Sequence, residues 1–361
     1  MNSVIKTLVF AIALVVLDSS SALSGQPEAK AHELRIADGI KIVRSAVADE
    51  AGVPIKFPFS HGFGSGAPVV LGGGRVLLVY RPTRANQLEN AISRDGGKTW
   101  ARVGVVARNS LPEVTICRPT ALRTGDGTIW VFYVGYIRYD PLNLANSKSD
   151  VWATCSQDGG KTWQDHRRIW EGYSGTLNGA IQTRSGNILL PIDHPGGPSR
   201  WVSACLVSTD RGKTWKFVGG IDIGEEADAD RRSPSLSGGG MEPTVVQLKD
   251  GRIWMLLRTI TGKLWQSFSS DEGLTWSKPT PTTISCGGTM YMTRLASSRL
   301  ALVWQQADWS AEPEYGYPHG FDEASIALSD DEGKTWHKPV VYAKVRRVCH
   351  SLLVKPHRAN C

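Results

Sequence analysis

A glutamate and an arginine stand at equal distances from a predicted hairpin turn, which makes them the first candidates for chemistry. The segment MEPTVVQLKDGRIWMLLRT, from Met241, has two β-rich runs around a polar turn centred on Asp250. Glu242 and Arg258 are both eight residues from Asp250, so in an antiparallel hairpin they face each other. A carboxylate beside a guanidinium could act as a base or hold an anionic ligand, but an ordinary cross-strand ion pair has the same pattern.

Three further arginines hold related positions in segments of similar pattern. Arg81 corresponds to Arg258 in an earlier segment, and Arg118 takes the place of Glu242 in another. Arg294 lies near the start of the first predicted strand of a later segment, MTRLASSRLALVWQQ, which we begin at Met292. Each could reach the same anionic ligand, because a guanidinium stays charged and binds carboxylates through two hydrogen bonds. The alternative for each is a solvent-exposed surface arginine.

Five octets of the pattern Ser-x-Asp-x-Gly-x-Thr-Trp divide the chain at intervals of 52 to 63 residues, which is typical of a repeat architecture. They are SRDGGKTW, SQDGGKTW, STDRGKTW, SSDEGLTW and SDDEGKTW, at 93–100, 156–163, 208–215, 269–276 and 329–336. The Asp is expected to accept backbone N–H bonds and the Gly to supply a positive φ. The Trp should bury its ring against the neighbouring sheet. The octets are therefore predicted hairpin turns rather than ligand-binding loops.

A strand, a turn and a second β-rich strand precede each octet. With the octet hairpin this gives about four strands per repeat, which is the size of a propeller blade. A sixth repeat starts at Arg347. We therefore expect an all-β fold, a six-bladed β-propeller, whose last blade is either incomplete or closed by the N-terminal segment around 34–47. Propellers bind ligands in the central funnel, so the candidate residues should lie at its rim.

The octets resemble the Asp box of the sialidase and neuraminidase family, whose repeats are also called BNR repeats. The resemblance covers most of the chain after the N-terminal segment. In that family the box lies away from the active site. By similarity, Glu242 would be the base that activates a tyrosine nucleophile, and Arg258 one of three arginines that grip the substrate carboxylate. Arg81, Arg118 and Arg294 are the candidates for the other two arginines.

This sequence departs from the family pattern at other positions. Where the family has Arg-Ile-Pro at the start of blade one, residues 66–68 are Gly-Ala-Pro, so that arginine is missing. Only Glu89 lies near the expected acid late in blade one, and Asp193 in blade three is a remoter candidate. The strand where a tyrosine nucleophile is expected has His350 instead. Three tyrosines lie upstream of it in less fitting positions, Tyr315, Tyr317 and Tyr342.

The resemblance implies a sialidase-like exo-glycosidase that retains configuration and hydrolyses terminal sialic or related acidic sugars of glycoconjugates. The alternative is a catalytically impaired β-propeller that binds an acidic glycan without cleaving it. The missing arginine and the departures at the acid and tyrosine positions favour that alternative. A protein-binding propeller is a third hypothesis, since one fold serves many functions. An acidic glycan or sialoglycoconjugate is the partner expected by the first two.

Composition excludes several other classes. The chain has 361 residues and a net charge of +7 spread thinly along it, with no dense Lys/Arg block, so no nucleic-acid partner is expected. Lys6, an apolar run at 7–17 and small residues at 19–25 are typical of a signal peptide at 1–24. The rest, 25–361, is then one propeller domain, secreted or periplasmic and without a membrane span. We expect a monomer.

The cysteines and short motifs indicate no metal or cofactor. The six cysteines lie far apart and form no metal-type cluster. In an exported protein some could pair, and buried thiols are equally compatible with the sequence. No phosphate loop, dinucleotide fingerprint or calcium loop occurs, so neither a cofactor nor a metal is expected.

Overall fold

A computed structural model of the chain describes eleven segments. They are residues 17–18, 33–37, 40–43, 66–82, 86–95, 99–109, 111–140, 142–228, 237–295, 297–306 and 323–344. These residues form an all-β propeller in which each blade is an antiparallel sheet of successive strands. No helix among them is long and apolar enough to cross a bilayer.

The first two blades are regular four-stranded sheets. Blade one contains β4 (Gly66–Gly72), β5 (Arg75–Tyr80), β6 (Gln87–Ser93) and β7 (Ala101–Arg108). Blade two contains β8 (Thr115–Arg123), β9 (Ile129–Arg138), β10 (Lys148–Ser156) and β11 (Gln164–Trp170), with a 3-10 helix at Leu144–Asn146 between β9 and β10. In both sheets the order along the sheet is the order along the chain, as in a propeller blade.

The other three blades follow the same plan. Blade three contains β12 (Ile181–Gln182), β13 (Ile188–Gly197), β14 (Arg200–Ser208) and β15 (Lys216–Ile221), and β16 (Gly238–Gly239) pairs with β14 in parallel. A short helix, α1 (Glu225–Asp228), precedes β16. Blade four contains β17 (Met241–Gln247), β18 (Ile253–Arg258), β19 (Lys263–Ser269) and β20 (Thr280–Ser285). Blade five contains β21 (Met290–Arg294), β22 (Leu300–Gln305), β23 (Glu323–Ser329) and β24 (Val340–Lys344).

The described part of the chain thus has five blades, one fewer than the six predicted. Part of the segment expected to close the ring forms a separate small sheet of β1 (Leu17–Asp18), β2 (Glu33–Ala37) and β3 (Ile40–Val43), in the order β1-β3-β2. The rest of that segment lies outside the described residues, and so does the sixth repeat predicted to start at Arg347. The propeller class is confirmed, whereas the blade count is corrected to five for this part of the chain.

The octets fold as the predicted hairpin turns. In the second octet, Asp158 accepts the backbone N–H of Thr162 at 2.9 Å and its hydroxyl at 2.6 Å, while Ser156 accepts the N–H of Gly160 at 2.8 Å. In the four octets whose fifth-position glycine the structure describes, that glycine has a positive φ, +90° at Gly160. These bonds hold the Asp carboxylates in their charged form. They lower the pKa of Asp210 and of Asp331 to about 2, because the Thr hydroxyl and backbone N–H donate to each.

The octet tryptophans pack where neighbouring blades meet. Trp163, Trp215, Trp276 and Trp336 are half-buried, and each packs against a cluster of buried side chains drawn from its own blade and the blade before it. The indole N–H of Trp215 donates to the carbonyl of Gly212, and that of Trp276 to Gly273. The core of the propeller is therefore a series of apolar layers between blades, and the octets fasten those layers.

The first strands of all five blades line a central channel. Residues of β4, β8, β17 and β21, and of β12 with its flanks, surround a cavity of about 420 Å³. The inner strands β4 and β8 are neighbours, as are β17 and β21. The four described cysteines, Cys117, Cys155, Cys205 and Cys286, are buried in the blades, and no disulfide joins any two of them.

Candidate functional site

Glu242, near the start of β17, and Arg258, at the end of β18, meet as the hairpin predicts. Nη1 of Arg258 lies 3.0 Å from Oε1 of Glu242, and the two side chains are 10% and 17% exposed. Nη2 of Arg258 also donates to the carbonyl of Gly287 at 3.1 Å. Removing one partner of an ion pair this well screened from water is costly, because the other charge is left buried and unpaired.

A β-bulge sets the direction of Glu242. Thr244 pairs with Leu256, as a turn centred on Asp250 requires, but Arg258 pairs with Met241 instead of Glu242. Glu242 is the extra residue and has φ of +49°. A left-handed backbone costs a non-glycine residue about 1–2 kcal/mol, and such strain is concentrated at functional sites.

Arg118 lies in the same kind of bulge in blade two. The register of β8 and β9 shifts between Cys117 and Thr120, and Arg118 has φ of +51°. Both bulged residues precede a proline and a threonine. Arg118 and Glu242, which correspond in sequence, therefore also share their backbone geometry. The bulge sets the direction of a cationic side chain in blade two and of an anionic side chain in blade four.

Asp193 joins blade three to this site. It is 2% exposed, and its Oδ2 accepts the backbone N–H of Glu242 at 3.0 Å. Its Oδ1 accepts the N–H groups of Gly175 at 2.6 Å and Thr176 at 3.3 Å, and the hydroxyl of Ser174 at 3.3 Å. Burial raises the pKa of Asp193, against the backbone donors that lower it. Asp193 thus ties the loop before blade three to the bulge of blade four.

Arg118, Asp193, Glu242 and Arg258 form a charged cluster, and their charges act on one another. Burial opposes the charge of Arg118, but Cys117, Tyr173, Glu242 and Asp193 outweigh it and raise the pKa of Arg118. The cluster therefore has two guanidinium groups and two carboxyl groups, supplied by blades two, three and four. Oε2 of Glu242 and Oγ1 of Thr176 are buried and have no hydrogen-bond partner among the described residues. Buried polar atoms of this kind call for a partner such as a ligand or water.

Sequence reasoning missed Tyr173. It lies between the last strand of blade two and the first strand of blade three, where no repeat pattern marks it, and is 7% exposed. Its ring contacts those of Tyr136, Tyr139 and Trp201. Burial raises the pKa of Tyr173, and Arg118 opposes that rise. An aromatic wall therefore adjoins the arginine.

A protein-family model matches most of this chain. The family model described as the BNR repeat-like domain matches residues 105–347, and the BNR/Asp-box repeat matches residues 91–102. The chain belongs to the BNR repeat-like domain family. The sequence resemblance to Asp-box proteins is thereby confirmed.

Solved structures share the fold of this BNR chain at low identity. A protein of unknown function from Dyadobacter fermentans DSM 18053 has a TM-score of 0.59 and 19% identity over 83% of this chain and 86% of that chain. The Hadza microbial sialidase Hz136 has a TM-score of 0.56 and 15% identity over 78% of this chain and 59% of the sialidase. The match therefore spans less than two thirds of that protein. The intramolecular trans-sialidase from Ruminococcus gnavus has a TM-score of 0.52 and 15% identity over 79% of this chain and 84% of that chain.

Arg294 lies at the other end of the BNR propeller, away from the cluster. The strand β21 begins at Met290 and ends at Arg294, so Arg294 does not open it. Its guanidinium binds both carboxylate oxygens of Glu332, at 2.8 and 2.6 Å, and the carbonyl of Gln247 at 2.9 Å. Glu332 belongs to the octet of blade five. In this structure Arg294 therefore joins two blades on the octet side of the channel.

The remaining candidates have different settings. Arg81 follows β5 and is buried, with 8% of its surface exposed. Glu89 lies on β6, where Arg102 binds both of its oxygens at 2.7 and 2.8 Å and lowers its pKa. Its carboxylate is therefore held in an ion pair among the outer strands of blade one. Tyr342 lies on the outermost strand of blade five, whereas Tyr315, Tyr317 and His350 are outside the described residues.

Proposed function

We propose that the cluster of Arg118, Asp193, Glu242 and Arg258 binds the carboxylate of a terminal sialic or related acidic sugar, and that the chain is a sialidase-like exo-glycosidase. The observation that carries this proposal is the convergence of two guanidinium groups, from blades two and four, on Glu242. Guanidinium forks bind a carboxylate through paired hydrogen bonds and hold their charge at every physiological pH.

The chemistry of such a sugar fits the cluster. Its carboxylate sits on the anomeric carbon, so a carboxylate nucleophile would be repelled there, and a phenol activated by a base avoids that repulsion. Glu242 has a buried oxygen, Oε2, without a protein partner among the described residues. In this proposal Oε2 accepts the proton of a tyrosine phenol as the phenol oxygen bonds to the anomeric carbon and the glycosidic bond breaks, and the leaving oxygen takes a proton from water, while Oε1 stays bound to Arg258.

A second function, binding of an acidic glycan without cleavage, is favoured by one specific observation. Both carboxylates that sequence reasoning offered as the acid are already engaged, and the proposed base has only one oxygen, Oε2 of Glu242, without a partner among the described residues. Glu242 is bound to Arg258, Asp193 accepts four donors, and Glu89 is bound to Arg102. An acid that protonates a leaving group must carry a proton and reach solvent or substrate, and Asp193 is nearly inaccessible.

Hydrolysis of a fluorogenic sialoside by the purified chain separates the two functions. Turnover that falls at least about 100-fold in Glu242→Gln, as general-base loss predicts, supports the glycosidase. Binding of sialic acid without turnover, lost in Arg258→Lys, supports the binding protein instead. Arg108→Lys is the matched control, because Arg108 is an exposed arginine on the outer strand of blade one, where it donates to Gln87. Absence of both binding and turnover would reject both functions.

The proposed setting is outside the cytoplasm. Residues 1–24 would be removed as a signal peptide, which would leave a secreted or periplasmic monomer that meets glycoconjugates directly. Mass spectrometry of the exported protein gives the mature N-terminus, and light scattering gives the mass in solution. A mature chain that still contains Lys6 would contradict the signal peptide.

A further inference from the structure

Tyr173 lies beside the charged cluster, although the proposed reaction gives it no role. Its ring packs in one group of side chains with Met241, the residue directly before Glu242. Ser174, the next residue along the chain, donates its hydroxyl to Asp193 at 3.3 Å. The ring therefore packs with the neighbour of Glu242, and the backbone of Tyr173 leads directly to a contact with Asp193.

Contacts with Ser149 of β10 fix the backbone on both sides of Tyr173. The N–H of Ser149 donates to the carbonyl of Gly172 at 2.8 Å. The N–H of Ser174 donates to the hydroxyl of Ser149 at 2.9 Å, and that hydroxyl donates in turn to the carbonyl of Ser174 at 2.8 Å. Since both flanking residues are bonded to a strand, the position of Tyr173 is set before any ligand binds, which lowers the entropy cost of binding.

The ring of Tyr173 is held by three other aromatic rings. The ring centres of Trp201, Tyr139 and Tyr136 lie 5.5, 6.2 and 6.5 Å from that of Tyr173. Only 7% of the residue is exposed. A side chain packed in this way has little rotamer freedom left to lose, so its hydroxyl is already oriented.

The hydroxyl of Tyr173 is nevertheless unpaired. It makes no hydrogen bond within the described part of the chain, and its oxygen is accessible to solvent, unlike the enclosed polar atoms of the site. The hydroxyl of Tyr133, on β9, shows the usual arrangement, because it is bonded to His166. A rigid side chain whose one polar group is unpaired and accessible is suited to bind a ligand.

The charges around Tyr173 indicate that its hydroxyl acts as a donor. Burial raises the pKa of Tyr173, and the positive charge of Arg118 opposes this only in part, so the phenol keeps its proton at physiological pH. A phenol beside a guanidinium is placed to donate to an anion that the guanidinium also binds. Asp193 is not that anion, because its oxygens already accept four donors. The acceptor is therefore an anionic ligand.

A carboxylate ligand has room for this donor. A carboxylate has about four acceptor positions. Arg258 already binds Glu242 at 3.0 Å and the carbonyl of Gly287 at 3.1 Å, so only its remaining N–H groups are left for a ligand. Arg118 supplies the second guanidinium. A neutral hydroxyl completes the set of donors without displacing either arginine.

We propose that the hydroxyl of Tyr173 donates a hydrogen bond to the ligand carboxylate that Arg118 and Arg258 hold. The inference rests on the proposed acidic-sugar site, and it applies equally to a glycosidase and to a binding protein. The third donor comes from the connection between blades two and three, not from an inner strand. Selectivity for an acidic sugar then depends on a neutral hydroxyl as well as on two charges.

Tyr173→Phe tests the proposal, because it removes the hydroxyl and keeps the packed ring. We expect its affinity for sialic acid, measured by titration calorimetry, to fall about tenfold or more, as for other hydrogen bonds to charged groups. Its midpoint of urea denaturation should match that of the wild type, because the hydroxyl has no partner to lose. Tyr133→Phe is the matched control and should give the reverse result. Its midpoint falls with the loss of the bond to His166, and its affinity is unchanged.

A double variant shows whether Tyr173 and Arg118 bind the same group of the ligand. Tyr173→Phe is combined with Arg118→Lys, and its loss of affinity is compared with the product of the two single losses. Donors that share one carboxylate are coupled, so we expect a deviation of more than about twofold from that product. Losses that multiply within about twofold would place the hydroxyl on another part of the sugar and reject the proposal.

Three further results would overturn the assignment. Unchanged affinity in Tyr173→Phe, or a loss only in Tyr139→Phe, rejects Tyr173 as the donor and leaves the proposed function intact. Covalent labelling of Tyr173 by a fluorinated sialyl fluoride, with loss of fluoride, would make it the nucleophile instead. A wild-type chain that binds no sialic acid rejects the acidic-sugar site itself, and the role of Tyr173 with it.

Discussion

The backbone N–H of Glu242 donates to Oδ2 of Asp193 across 3.0 Å, so a carboxylate of blade three holds the strained bulge of blade four. The same carboxylate accepts donors from the loop before β12, including Gly175 at 2.6 Å. Asn178 of that loop donates in turn to the carbonyl of Glu242 at 2.9 Å. The position of Glu242 is therefore fixed by contacts from the adjacent blade as well as by its own strand.

Asp193→Asn should loosen Glu242 while leaving the rest of the loop in place. The amide oxygen can keep the bonds to Gly175 and Thr176, but the amide nitrogen cannot accept the N–H of Glu242. Leaving that buried donor unpaired costs about 1–3 kcal/mol, measurable by urea denaturation. Asp250→Asn, at an exposed turn position, is the control and should cost at most about 1 kcal/mol. Equal losses in the two variants would show that Asp193 does not support the bulge.

Arg118 should show a conflict between stability and ligand binding. Its φ of +51° suits glycine better than any side chain. Arg118→Gly should therefore be more stable than Arg118→Ala by about 1 kcal/mol, because alanine keeps the left-handed strain and glycine does not. Both variants lose the guanidinium, so both should bind sialic acid at least tenfold more weakly than the wild type, as titration calorimetry would measure. Alanine and glycine variants of equal stability would mean that the bulge relaxes at no cost.

The hairpin pattern predicted the proximity of Glu242 and Arg258 but not the bulge, which moves the pairing partner of Arg258 to Met241 and gives Glu242 its positive φ. A periodic pattern gives the register of β17 and β18, whereas a bulge depends on contacts from another blade, here Asp193. The error at Arg294 has a different cause. The sequence division began that strand at Met292, two residues late, and so put Arg294 near the start of β21 instead of at its end.

The repeat itself was the most informative part of the sequence. The octets predicted the hairpin turns and, in the four octets from the second onward, the positive φ of the glycine and the packing of the tryptophan on the neighbouring blade, because each depends on residues close together in the chain. Tyr173 lies in a connection between blades, where no repeat exists to compare. Its place beside Arg118 follows from the packing of Tyr136, Tyr139 and Trp201, which are distant in sequence.

The ion pair between Glu332 and Arg294 should make stability depend on acid pH. Arg294 lowers the pKa of Glu332 from 4.5 to about 2, and the Glu332 side chain is 18% exposed. Because the folded-state pKa is depressed, the pair stabilises the fold above about pH 4.5, and this contribution is lost as the pH falls towards 2. Glu332→Gln should therefore cost about 1–3 kcal/mol at pH 7 and much less near pH 3.

Thermal unfolding of Glu332→Gln and the wild type between pH 7 and pH 3 measures that difference. Glu171→Gln is the control, because Glu171 pairs with Lys148 on the surface and should change stability far less at pH 7. Unfolding temperatures of Glu332→Gln and the wild type that stay a constant distance apart from pH 7 to pH 3 would contradict the assigned pKa.

The octet glycine of blade five should tolerate no side chain, since it packs directly on blade four. A Cβ added at Gly333 would lie 2.2 Å from a ring carbon of Trp254, and the φ there is +82°. Gly251→Ala separates the two effects, because its φ is +98° and its Cβ would meet nothing within 4 Å. We expect Gly251→Ala to cost about 1–2 kcal/mol from backbone strain alone, and Gly333→Ala about 1–3 kcal/mol more from overpacking. Urea denaturation compares the two, and equal costs would mean that the octet shifts away from Trp254.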